Sequence, residues 1–135
     1  MRLIHKLENI SKNMSDSIAS ELLQKWVGAI KSGDPKQVTD LYHVDGILLG
    51  TFSNKERVGH ELILEYFENL LKSPVEVEIV SEHFSTSMGF SVNSGLYTFV
   101  TGGKTINARF SFVCQNQAGV WKIVSHHSSV MPESG

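Results

Sequence analysis

Two long alternating runs near the end of the chain constrain its fold more than any other feature. They are Lys104-Thr-Ile-Asn-Ala-Arg-Phe-Ser-Phe-Val-Cys114 and Val120-Trp-Lys-Ile-Val-Ser-His-His-Ser-Ser129, joined across Asn116-Gln117-Ala118-Gly119. Alternation with period two is the mark of a strand with one buried face, and two such runs across a short glycine-containing turn make a hairpin. Centring the turn on Asn116 to Gly119 pairs Cys114 with Trp121, Phe112 with Ile123, Phe110 with Ser125 and Ala108 with His127. One face is then apolar until it ends in Ser125 and His127. Strand phase decides which polar side chains look inward, because a slip of one residue sends each to the other face.

Helical spacing governs the first half. Ile18, Leu22, Trp26, Ala29 and Ile30 form one stripe, predicting a helix from Ser15–Ser17 to Lys31, closed by Gly33 in a left-handed position. Asp34-Pro35-Lys36-Gln37 reads as a capping box opening a short second helix that carries Val38, Leu41 and Tyr42 inward and ends near His43. Asp45-Gly46 turns into a short strand, Ile47-Leu48-Leu49, and Gly50 to Val58 reads as a surface loop. A third helix runs from Gly59 to Leu71 with paired apolar residues every four positions, stopped by Ser73-Pro74. From Val75 the period switches to two, with Gly102-Gly103 as a hairpin turn. Three helices followed by four antiparallel strands is an α+β layout, helices covering one face of a bent sheet. Ahead of it, residues 1–14 form an N-terminal arm whose Leu3, Ile4, Leu7 and Ile10 recur at helical spacing. That is the spacing of a short helix docking on the body or on a partner, although a frayed terminus is an equal alternative.

The 135 residues suit one domain, residues 15–132, and the 41% hydrophobic and 19% charged content excludes general disorder. A net charge of −2 gives no field favouring nucleic acid or anionic lipid. No apolar run is long enough to span a bilayer, and the N-terminus lacks a signal-peptide pattern. A single cysteine excludes an internal disulfide and fits a cytoplasmic setting.

Trp26 and Ala29 before the Gly-Asp-Pro corner carry a resemblance. So do the helix ending Tyr66-Phe67-Glu68-Asn69-Leu70-Leu71, the strand around Ala108-Arg109-Phe110 and the closing strand from Gly119-Val120-Trp121 to His126-His127-Ser128-Ser129. Together, over residues 15–130, they resemble the NTF2-like superfamily, in the SnoaL-like branch with the association domain of calcium/calmodulin-dependent kinase II. The resemblance implies a cone: a curved antiparallel sheet wrapped around about three N-terminal helices, with a pocket between them. It also implies a homo-oligomer, dimer or larger, through the sheet. It implies no reaction, since this superfamily hosts isomerases, dehydratases, hydrolases and assembly modules.

The pocket candidates follow from strand phase. His127 continues the face of Trp121, Ile123 and Ser125, so it is the candidate acid/base, with Ser125 and Ser129 beside it. Tyr97 shares the inward face with Phe99, and Tyr42, Tyr66 and Trp26 reach the interior from the helices. Each has a purely structural alternative. Strict alternation puts Arg109 on the opposite face with Asn107 and Ser111, as an interface residue; a bulge near Asn107 would turn it inward, to pair an anionic ligand. Between Glu82 and Glu133 there is no carboxylate at all, and isomerases of this fold class need an inward one. Adjacent His126 and His127 face opposite ways, so no metal or other cofactor is expected. Two readings stay open: a small-ligand-binding assembly module without catalysis, and an isomerase-, dehydratase- or cyclase-type enzyme using His127.

Overall fold

The computed structural model describes residues 18–133. The arm expected over residues 1–14 lies outside them. Helix α1, described over residues 18–32, lays Leu23, Trp26, Ala29 and Ile30 against the sheet. It ends where Gly33 takes φ +76°, a conformation open to glycine without strain. Asp34 then caps α2 (Pro35–Thr39) by accepting from the Lys36 amide at 3.0 Å, with Pro35 at the first helical position. Helix α3 (His60–Leu70) starts from Gly59 and buries Ile63, Tyr66 and Phe67.

Beneath the helices lies a curved, unclosed sheet in the order β2-β1-β6-β5-β4-β3. Strands β3 (Val75–Ser87), β4 (Phe90–Thr101), β5 (Lys104–Gln117) and β6 (Val120–Val130) form the expected antiparallel meander. Its hairpins turn on residue pairs with positive φ, Met88-Gly89, Gly102-Gly103 and Ala118-Gly119, whose handedness matches the twist of the flanking strands. The α+β cone is therefore as the sequence implies.

Two local expectations change. The short strand at Ile47 is longer: β1 runs Tyr42–Leu49, parallel to β6, and β2 (Arg57–Val58) adds an edge to it. Tyr42 is thus a strand residue, and not the end of the second helix. The excursion between Tyr42 and Ile47 brings Gly46 so close to β6 that an added Cβ would sit 2.9 Å from the Ile123 carbonyl oxygen.

The closing hairpin also departs from its expected register. The turn is tighter, so Cys114 faces Ile123 in place of Trp121. That shift of two residues leaves the faces unchanged. Beyond it the strand bulges at Val124: Cys114 pairs Ile123, but the neighbouring Val113 pairs Ser125. One extra residue inverts the phase of everything that follows. Phe112 now faces His126, Phe110 faces Ser128 and Ala108 faces Val130. His126 and Ser128 are buried, while Ser125, His127 and Ser129 turn to the outer face. The expectation that Trp121 and His127 share the inner wall is overturned.

Candidate functional site

Register alone assembles the inner wall. Arg57 pairs Leu48, Leu48 pairs His126, His126 pairs Phe112 and Phe112 pairs Asn93, giving one lateral row across five strands. A cation, an imidazole and an amide stand in that row, and all three are at least nine-tenths buried.

His126 is the centre of a hydrogen-bonded chain. The Trp26 indole N–H donates to the Tyr42 hydroxyl at 3.1 Å, and that hydroxyl lies 2.7 Å from His126 Nδ1. On the other side His126 Nε2 is 3.3 Å from the Tyr97 hydroxyl, which donates to Ser128 Oγ, itself in contact with Thr51 Oγ1. Donor counting fixes the directions. Tyr42 has one proton, and Nδ1 is its available acceptor. His126 is therefore the Nε2–H tautomer, donating to Tyr97, whose own proton is committed to Ser128. Phe112 stacks on the imidazole at 3.8 Å between centroids, and Trp26 meets it edge-on at 5.2 Å.

Such a cage disfavours charge. Burial, with a smaller contribution from neighbouring His127, pushes the His126 pKa down to about 3, so the ring is neutral at physiological pH. Burial pushes the Tyr42 and Tyr97 hydroxyls well above their ordinary range, and Tyr66 up to about 12. It also lifts Cys114 to about 12, which removes it as a nucleophile at neutral pH. No carboxylate enters the hydrogen bonds around His126 among the described residues. The arrangement is a satisfied polar core and offers no poised proton acceptor.

Of the residues expected at the pocket, Tyr97, Tyr42 and Trp26 converge on one imidazole. It belongs to His126, and not to His127. His127, Ser125 and Ser129 lie on the outer face because of the Val124 bulge. Arg109 is exposed on that face between Leu96 and Ser129; the bulge falls on β6 and not beside Asn107, so it does not turn inward. The sequence reading missed Ser128, Thr51 and Arg57. Arg57 sat inside a stretch read as surface loop, yet pairing with the inward Leu48 buries it. The clefts lie elsewhere. One of about 250 Å³ is lined by Leu22, Lys25, Leu41 and Trp121, and a groove of about 480 Å³ by His43, Val44, His60 and Lys122. Among the described residues no group of three His, Cys, Asp or Glu is placed to hold a metal ion, and no helix is long and apolar enough to cross a membrane.

The calcium/calmodulin dependent protein kinase II association domain model matches residues 16–132. A Xanthomonas campestris structure, taken to be such an association domain, is 38% identical, with TM-score 0.80, over 84% of this chain and 86% of that one. An NTF2-like protein of unknown function from Pseudomonas putida superimposes with TM-score 0.80 at 15% identity, covering 90% of each chain. A Streptomyces avermitilis protein of the NTF2-like family, taken for a dehydratase, gives TM-score 0.80 at 12% identity over 89% of this chain and 98% of that one. The last two likenesses show the fold alone. The comparison with curated proteins gave no match.

Proposed function

This chain belongs to the calcium/calmodulin dependent protein kinase II association domain family, and we propose that it is an oligomeric, non-catalytic binding module of NTF2-like fold. In this reading the outer face of the sheet docks a second copy, and the interior takes a small polar or anionic ligand without reacting it. A cytoplasmic setting goes with it, since the single cysteine, Cys114, is buried and free. So does the expectation of neither nucleic acid nor membrane as partner.

The observation that carries the reading is the outer face. Val58 pairs Ile47, Ile47 pairs Ser125, Ser125 pairs Val113 and Val113 pairs Val92, so one row, aliphatic but for Ser125 at its centre, crosses five strands on the side away from the helices. Val58 and the Ile47 it pairs are 51% and 40% exposed, and Val92 toward the other side of the row is 42% exposed, so aliphatic surface is left bare along the row. Leu49, His127 and Ser111 form the next row, with Arg109 beyond it. A two-fold interface presents the same patch from both copies, so one charge in the row meets itself or its symmetry neighbours twice. The uncharged, caged imidazole within argues against proton-transfer chemistry there.

Light scattering on size-exclusion peaks tests the assembly. The protein is expected as a dimer or larger at micromolar concentration, and Ile47→Asp or Val92→Asp as a smaller species with the same far-UV circular dichroism. A monomeric parent refutes the reading. Variants that assemble like the parent move the interface off this face.

A further inference from the structure

We infer that acidification separates the copies of this chain, through two histidines that share one row of the outer face; the inference rests on the assembly half of the reading above and names what regulates that contact.

Register builds the row. Leu49 pairs His127, His127 pairs Ser111, Ser111 pairs Ser94 and Ser94 pairs His83, so it runs from β1 to β3. Each histidine is turned outward by a bulge in its own strand. The extra residue at Val124 does this for His127, and the one at Val80, where Ile79 pairs Tyr97 but Ser81 pairs Leu96, does it for His83. Both imidazoles are exposed, and neither makes a hydrogen bond or ion pair among the described residues. The two serines between them bond each other, Oγ to Oγ at 2.8 Å.

No charge nearby would welcome a proton on this row. Arg109 stands two residues from Ser111 on the same face of β5, which makes it the diagonal neighbour of His127, within reach of a long side chain. Lys122 lies on β6 before the bulge, its ammonium donating to the Asp40 carbonyl oxygen at 2.6 Å. Glu82 is beside His83 in sequence but turns to the inner face, where it accepts from Asn93 and Ser20. Glu78 and Glu76 face outward on β3, but they pair Thr98 and Val100, beyond the row that holds Arg109. Lys55 and Glu56, ahead of β2, are exposed and opposite in sign. The histidine row and the rows on either side of it thus hold no carboxylate.

With neutral imidazoles this face is aliphatic and serine-rich, a surface that a second copy can cover. Histidine is the side chain that gains charge as pH falls from 8 to 5. Once protonated here, it must either stay in water or enter the contact as an unpaired charge, which is costly. Two-fold symmetry brings each histidine into the contact twice. Protonation therefore favours the separated copies.

Sedimentation equilibrium of the full chain at pH 7.5 and 5.5, at matched ionic strength, tests this. Between the ordinary imidazole value of about 6.5 and pH 5.5, each imidazole that must stay neutral weakens association about ten-fold. Counting only one histidine from each copy, the dissociation constant should rise about a hundred-fold or more. The double variant His83→Gln with His127→Gln should assemble with nearly the same constant at both pH values. His126→Phe, altered on the inner face, should keep the parent's response. Far-UV circular dichroism of the parent should be the same at both pH values, so that the copies part without unfolding. A parent constant that does not change, an undiminished response in the double variant, or loss of the dichroism in step with dissociation overturns the inference. A parent equally dimeric at both pH values leaves the assembly standing, whereas a parent monomeric at pH 7.5 removes the assembly and this inference together.

Discussion

Lowering the pH should unfold this protein through His126, and the size of the effect follows from the cage around it. In the unfolded chain the imidazole titrates near its ordinary 6.5; in the fold it resists protonation down to about 3. Above pH 6.5 both states carry a neutral ring, so the group contributes no pH dependence there. Between 6.5 and 3 the unfolded state binds the proton and the native state does not, so stability falls as pH falls. The slope is about 1.4 kcal/mol per pH unit. Two units of descent, to pH 4.5, therefore cost about 3 kcal/mol, or a melting temperature lower by about 10 °C for a domain of this size. Other histidines and the carboxylates also titrate, so the measurement is a double difference: thermal unfolding by circular dichroism at pH 7.5 and 4.5, for the parent and for His126→Phe. Phenylalanine fills the same stack against Phe112 and cannot ionise. It should be less stable than the parent at pH 7.5, where it loses the bonds to Tyr42 and Tyr97, but lose about 3 kcal/mol less on acidification. Equal losses in the two proteins would refute the caged neutral imidazole.

Gly95 lies opposite the bulge in β3, where Ile79 pairs Tyr97 and Ser81 pairs Leu96; an added Cβ would sit 2.1 Å from the Ser81 carbonyl oxygen. Gly95→Ala should lose about 3 kcal/mol in urea unfolding, whereas Gly28→Ala, on the exposed side of α1 with nothing within 4 Å, should gain about 0.5–1 kcal/mol. The paired histidines give a second contrast. His127→Ala, outward and exposed, should change folding stability by no more than about 0.5 kcal/mol; His126→Ala, which strands two tyrosine hydroxyls and opens a void, should lose more than about 3 kcal/mol by the same melts.

The architecture was legible because its signals are redundant. Gly33, Asp34 and Pro35 state one corner three ways, and Ala108, Phe110, Phe112 and Cys114 hold their period without interruption. The site was not legible, and the reason is local to β6. Trp121 and Ile123 define a phase, but Ile123 and Val124 are adjacent apolar residues, where alternation can slip by one. Beyond them Ser125, His126, His127 and Ser128 are all polar. Only Val130, at the end of the strand, remains to report the phase, and it falls in step with His126 and Ser128. The doubled aliphatic pair and the out-of-step Val130 were the available signals for a bulge. Arg57 failed for another reason: charge and a glycine-flanked setting say surface, while its burial comes from pairing with Leu48, a contact nine residues away.

The bulge decides more than orientation. In the unslipped phase the inward imidazole would be His127, at the end of an apolar face and open to a ligand. In the observed phase it is His126, with both nitrogens engaged and rings on two sides. Burial holds that ring uncharged at pH 7, and a substrate would have to break a bond to reach either nitrogen. The middle of the inner row is thus closed upon itself. Its uncommitted polar atoms stand toward the two sides, Arg57 Nε on β2 and Asn93 Oδ1 on β4. A ligand entering this cone therefore meets its unmet hydrogen bonds at the flanks, while the chain from Trp26 to Thr51 holds the wall between them in place.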